Sequence, residues 1–401
     1  MRVDETTPLI RPRQLSSDTY LTDPHPLVAI LREHYPCYRD WPGNAFWITR
    51  YDDVTSVFVD EANYESRSKL WRYDRMGWGR DLGTSVEVRT AVTTYADRLG
   101  EGIARSLVGL LRESPTRDLA VEYCAWLPAV LLARTLDLPE GDDDTFAVRY
   151  LTMQRGAGWE PLARVAGLSA MDELLAYFTP LLESRRSGDG EDLLSTVARI
   201  CGSAHDLVVT LLEADHETLH GALANLWSLL LTHPDQLSVA REQPRAMKYA
   251  YLETLRHSPP VISADRFARH EVERFGRLVP DGALLRCSAA AANRDPRVFA
   301  DSDAFIVGRK DLCQREPRGT YRTDGLASGI SFGTGAPSKH PAVPEDRPRS
   351  AYALARDLAV IASLVLLDEL PTVRLQEGVV PQRRSRRLGE MYTCWSLPVT
   401  W

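Results

Sequence analysis

The residues of this 401-residue chain best suited to chemistry lie in one short run, Ala214-Asp215-His216-Glu217-Thr218-Leu219-His220. Within it, His216-Glu217-Thr218-Leu219-His220 spells H-E-x-x-H. On a helix that pattern can place two imidazoles on zinc with the glutamate as base. The spacing offers no third ligand, so both histidines read equally as helix-packing residues and no zinc is expected. At about 100° per residue, Ala214, Asp215, Thr218 and Ala222 fall within about 100° of one another, while the two imidazoles lie about 160° from Thr218. A carboxylate and a hydroxyl therefore share one helix face, and the histidines point away from it.

That face needs a long helix, and the pattern supplies one over 204–232, from the loop Ser187-Gly188-Asp189-Gly190-Glu191-Asp192 to a stop before Pro234. Helical periodicity also runs from 86 to 184, with Pro128 expected to interrupt 119–136. Further helices are expected at 24–35, 245–257 and 351–370. Strands are expected at 46–50, within 272–288 and from 371 to the end. The fold class expected is mainly α with a small β-rich lobe, the β content lying near 36–60, 261–300 and 371–401 and the helices in 86–257 and 351–370.

Composition bounds the function. With 48 basic and 55 acidic residues the net charge is -7, which argues against a general binder of nucleic acid or anionic membranes. No apolar core follows a basic start at the N-terminus, so no signal peptide is expected. The longest apolar run, 358–367, is ten residues, short of the roughly 18–20 that cross a bilayer. Cys37, Cys124, Cys201, Cys287, Cys313 and Cys394 form no C-x-x-C pair, which fits a reducing cytoplasm.

Several pieces, in this order, resemble the cytochrome P450 family of haem-thiolate monooxygenases, of the soluble bacterial type. They are Glu253-Thr254-Leu255-Arg256, Arg266 after Pro259-Pro260, Ala291-Ala292-Asn293-Arg294-Asp295-Pro296, Phe332-Gly333-Thr334-Gly335 and Ala353-Leu354-Ala355-Arg356. The resemblance spans essentially the whole chain and implies a single P450-like domain over 1–401. It also implies a cysteine thiolate on haem iron, a soft ligand that favours O–O cleavage. Counting F-x-x-G-x-(H/R)-x-C from Phe332 puts Lys339 at that position, and counting back from Ala353 puts Arg349 there. Neither is a cysteine, and Cys313 lies 26 residues before Lys339. The family's His-Thr-x-Leu-Arg corresponds to about Ser85 to Arg89, which keeps the arginine and lacks the histidine.

The family's oxygen-activating Ala-Gly-x-acid-Thr reads Ala214-Asp215-His216-Glu217-Thr218, with a carboxylate in place of the small glycine. A carboxylate facing a cavity that lacks haem can act as a general acid or base with a raised pKa. The first expectation is therefore a haem-independent enzyme of natural-product biosynthesis. It would perform dehydration, cyclisation or isomerisation on a small-molecule intermediate with Asp215, Glu217 and Thr218, in a pocket lined by Trp71, Trp78, Leu211, Ala214 and Ala222. Glu253, Arg256, Arg266 and Arg294 are expected to serve the fold. A second expectation is a non-catalytic helper that binds a glycosyltransferase through the charged, proline-rich stretch around Lys339. A third is a haem monooxygenase with a changed axial ligand, since neutral His340 or deprotonated Lys339 can ligate iron. The cofactor expected is none, ahead of haem and then zinc, for which His216, His220 and His340 are the candidate ligands.

Overall fold

A computed structural model describes residues 7–67, 73, 85–139, 141–157, 161–200, 202–213, 216–312, 351–386 and 391–401. It is mainly helical with small β-sheets, as the pattern required. Contacts divide the chain into two compact units. One comprises Met1–Arg67, Ala224–Ala342 and Val380–Leu397, the other Ser68–Leu223, Val343–Val379 and Pro398–Trp401.

The first unit is built on a five-stranded sheet in the order Cys37–Asp40, Ala45–Ile48, Leu284–Ser288, Ser263–Ala268, Tyr64–Glu65. Ala45–Ile48 is buried throughout and runs parallel to Leu284–Ser288, while the other pairs are antiparallel. Asn225, fully buried on the helix His216–Thr232, ties a hairpin to this unit. Its Nδ2 donates to the carbonyls of Ser258 and Tyr392, each at 2.9 Å, and its Oδ1 accepts from the amide of Cys394 at 2.9 Å. Asn225→Ala strands three buried backbone groups, each worth about 1–3 kcal/mol when unsatisfied. A loss of at least about 3 kcal/mol in urea unfolding is the expected result.

In the second unit the helix Val86–Leu111 starts at Ser85, whose hydroxyl accepts from the Val88 amide, with Glu87 in the first turn. Helices Asp143–Gly156 and Pro161–Arg185 meet at a pair of glycines. A Cβ on Gly167 would lie 2.6 Å from the Gly156 Cα and 2.4 Å from the Tyr73 hydroxyl, so the close crossing requires glycine. Tyr150, Met171, Leu174, Phe178 and Leu207 fill the core between these helices. The helix Ala351–Glu369 packs along Val86–Leu111.

Pro128 does not break its helix. It lies in the first turn of Trp126–Leu136, directly after a π-helical segment, Ala120–Ala125. A proline ring clashes with the carbonyl four residues earlier in a regular helix, and the wider π turn makes room for it.

Candidate functional site

The expected 204–232 helix is described in two pieces, Ala204–Glu213 and His216–Thr232, with Ala214 and Asp215 outside the described residues. Trp71, Trp78, Lys339, His340 and Arg349 also lie outside them, as do the side chains of His216 and Glu217. Thr218 and Ala222, one turn apart, are both buried, in keeping with a shared inward face, while His220 is half-buried. Leu211 is fully buried in the hydrophobic core of the second unit.

One residue near this helix was not legible in the sequence. Gln154, fully buried on Asp143–Gly156, donates through Nε2 to the carbonyls of Leu211 at 2.9 Å and Leu212 at 3.2 Å. It thereby satisfies two of the last carbonyls of Ala204–Glu213. Buried glutamines have no spacing rule, so nothing in the sequence singled it out.

Glu253 and Arg256 form a bidentate pair, Nε to Oε2 and Nη2 to Oε1 at 2.8 Å each, with both side chains wholly buried. The i, i+3 spacing on the helix Pro244–His257 places the two groups side by side. Arg256 donates further to the carbonyls of Asn293, Ser302 and Ala304 at 2.9, 2.6 and 2.8 Å, and Glu253 accepts from the Ile306 amide at 2.9 Å. The pair therefore fastens the segment after the sheet onto the helix. Arg294 completes the same junction, its Nε and Nη2 donating to the last carbonyl of that helix, His257, at 2.9 and 2.6 Å. Burial pulls its pKa down to about 10.

Arg266 lies on the strand Ser263–Ala268, nearly buried, with its guanidinium 4.4 Å from the ring centre of Phe58 and Nη1 donating to the Asp265 carbonyl at 2.9 Å. Burial lowers its pKa, so an anion brought to it would recover part of that cost. The four described cysteines, Cys37, Cys124, Cys287 and Cys394, are free and buried. Burial pushes the Cys37 thiol up to about 11 and the Cys287 thiol up to about 12, so both are neutral at pH 7. Neither should react with iodoacetamide at pH 8 until the protein is unfolded. Mass mapping of modified peptides checks this, and rapid labelling of the native protein would contradict it. The neutral, buried thiols of Cys37 and Cys287 do not fit a haem held through thiolate, and Cys201 and Cys313 lie outside the described residues.

Among the described residues, no helix is long and apolar enough to cross a membrane, and no group of three or more His, Cys, Asp or Glu side chains is placed to hold a metal ion.

No protein-family model matches the chain. It is similar to curated proteins along most of its length. The cytochrome P450 monooxygenase PikC of Streptomyces venezuelae is 29% identical over 391 residues, covering 89% of this chain and 86% of that protein. The cyclomarin C epoxidase CymV of Salinispora arenicola is 28% identical over 341 residues, covering 77% and 82%. The solved structure of CalO2 superposes with a TM-score of 0.74 at 25% identity, covering 96% of this chain and 98% of that one. With its helical architecture, small sheets and buried E-x-x-R pair, the chain belongs to the cytochrome P450 family, of the bacterial type. This kinship corrects the expectation that no cofactor is used. Relatives are named as cytochromes and as a monooxygenase, cytochromes are haem proteins, and haem is the cofactor the comparisons point to.

Proposed function

We propose that this protein is a haem-binding oxygenase that acts on a small-molecule intermediate of bacterial secondary metabolism, with a nitrogen base as axial ligand in place of the family's thiolate. The single observation that carries the reading is kinship over about nine-tenths of the chain with a named monooxygenase, set beside a ligand segment in which Lys339 stands at the position counted for cysteine from Phe332 and His340 stands next to it. Lysine and histidine side chains both offer a nitrogen lone pair when deprotonated. Haem would supply the redox chemistry. Arg266 is proposed to face a haem carboxylate, and Thr218 and Glu217 to hold and pass protons on the site helix. On this reading Asp215 is a polar neighbour of that pair, and 1–401 works as one domain.

The test is the His340→Ala variant of the full-length protein. The expected outcome is loss of the native haem spectrum, or a change in it, with an unchanged melting transition. An identical spectrum would transfer the ligand role to Lys339, which Lys339→Ala checks in the same way; if neither variant alters it, the nitrogen-ligand reading is wrong.

A second reading is favoured by the same missing cysteine: a helper that binds a glycosyltransferase through the segment bearing Pro337, Pro341, Pro344 and Pro348. It requires co-purification with a pathway glycosyltransferase and stimulation of that enzyme without turnover by this chain. Absence of any such complex would remove it.

A further inference from the structure

In the first unit, His25 is the first residue of the helix His25–His34 and has no part in the activity proposed above. Both of its ring nitrogens are buried and make no hydrogen bond among the described residues. The ring stands edge-on to Tyr392, with 5.7 Å between ring centres and 89° between planes. It therefore packs as an apolar group between its helix and the hairpin Gln382–Arg386 with Met391–Ser396.

The surroundings are built against a charge on that ring. The helix dipole turns its positive end toward residue 25. Arg294, Arg383 on the hairpin, Arg32 on the same helix and Arg256 on Pro244–His257 all add positive potential there. The acidic groups of this neighbourhood are engaged elsewhere. Asp23 accepts the His25 backbone amide at 3.1 Å, Glu33 pairs with Arg32 at 3.0 Å, Asp303 with Arg294 at 3.4 Å and Glu253 with Arg256 at 2.8 Å. Burial first, and then the four arginines, hold the His25 pKa well below the usual histidine value. The neighbouring His257 differs, since its Nδ1 and Nε2 each lie 3.0 Å from an oxygen partner, the Ser258 hydroxyl and the Asp303 carbonyl. The chain ahead of His25 is lightly held. Asp18 pairs with Arg384 between exposed side chains, which contributes little, and Tyr20 meets Trp47 edge-on in a small apolar cluster with Leu15, Leu27 and Tyr392.

We propose that His25 is an acid latch: a proton taken from solvent onto its ring parts the arm 14–24 and the first turn of its helix from the hairpin. The closed form keeps the ring neutral, whereas the open form lets it titrate near 6.5. Closure is therefore fully present above about pH 6.5 and weakens by about tenfold for each pH unit below it. The latch is independent of haem and of its axial ligand.

The experiment is hydrogen–deuterium exchange of the full-length protein at about pH 7.5 and about pH 5.5, each rate divided by the intrinsic rate at that pH. Protection of the amides in 18–28 and 391–396 is expected to fall about tenfold between the two conditions. His25→Phe loses no hydrogen bond and takes up no proton, so its protection should be equal at both. His25→Leu is a second non-titrating variant with the same expectation. Wild-type protection that does not change would overturn the proposal without either variant. A fall that survives in His25→Phe and His25→Leu would also overturn it, because another group would then control the opening.

Discussion

Arg256→Met is expected to lower the stability of the fold by about 3–5 kcal/mol, the cost of breaking a buried ion pair from one side. The substitution leaves the Glu253 carboxylate wholly buried with the Ile306 amide as its remaining short contact and Arg309 Nε at 3.6 Å. It also strips the carbonyls of Asn293, Ser302 and Ala304 of their donor. Those three carbonyls lie on the segment that leads from the sheet toward the ligand stretch, so the loss is expected to loosen that segment as well as the helix. Glu253→Gln should be damaging for the mirror reason, since it leaves a buried guanidinium without its counter-charge. The apolar double variant Glu253→Leu/Arg256→Met should be less damaging than Arg256→Met alone, because it leaves no isolated charge. Urea unfolding of the wild type, Glu253→Leu, Arg256→Met and the double variant as a double-mutant cycle measures this. Additive effects of the two single substitutions would show that the pair does not act as a unit.

The second large effect is expected from Lys339→Cys. Counting from Phe332, position 339 is where the family places its thiolate, and a thiolate pushes electron density onto iron as a nitrogen ligand does not. The carbon monoxide complex of the reduced variant is expected to absorb at the long wavelength that marks thiolate-bound haem, while the wild-type complex absorbs at shorter wavelength. The alternative register, counted back from Ala353-Leu354-Ala355-Arg356, makes Arg349→Cys the matching variant. If neither cysteine moves the band, the ligand segment does not approach the iron as it does in the family.

Much of this was legible before the structure, for identifiable reasons. Glu253 and Arg256 were legible as a motif of the resembled family expected to serve the fold, and the structure adds their ion pair and the three carbonyls that explain why the pair is buried. Helices such as 245–257 and 351–370 were readable because their periodicity is strong and proline or polar residues bound them. The π turn before Trp126 was not, since proline in a helical pattern signals a break and only the geometry shows that the chain widened instead. Gln154 was hidden because its partners are backbone carbonyls 57 and 58 residues away. The cofactor was misjudged for a different reason. The missing cysteine was read as the loss of haem, whereas one ligand position is a small part of a resemblance carried by the whole chain.

The most direct test of the account is the absorption spectrum of the full-length protein, produced with a haem precursor and read together with its iron content. The account predicts about one haem per chain, a strong Soret band, and a reduced carbon monoxide complex without the thiolate signature. A protein that folds normally yet carries no iron and no Soret band, even after haem is added, would contradict it.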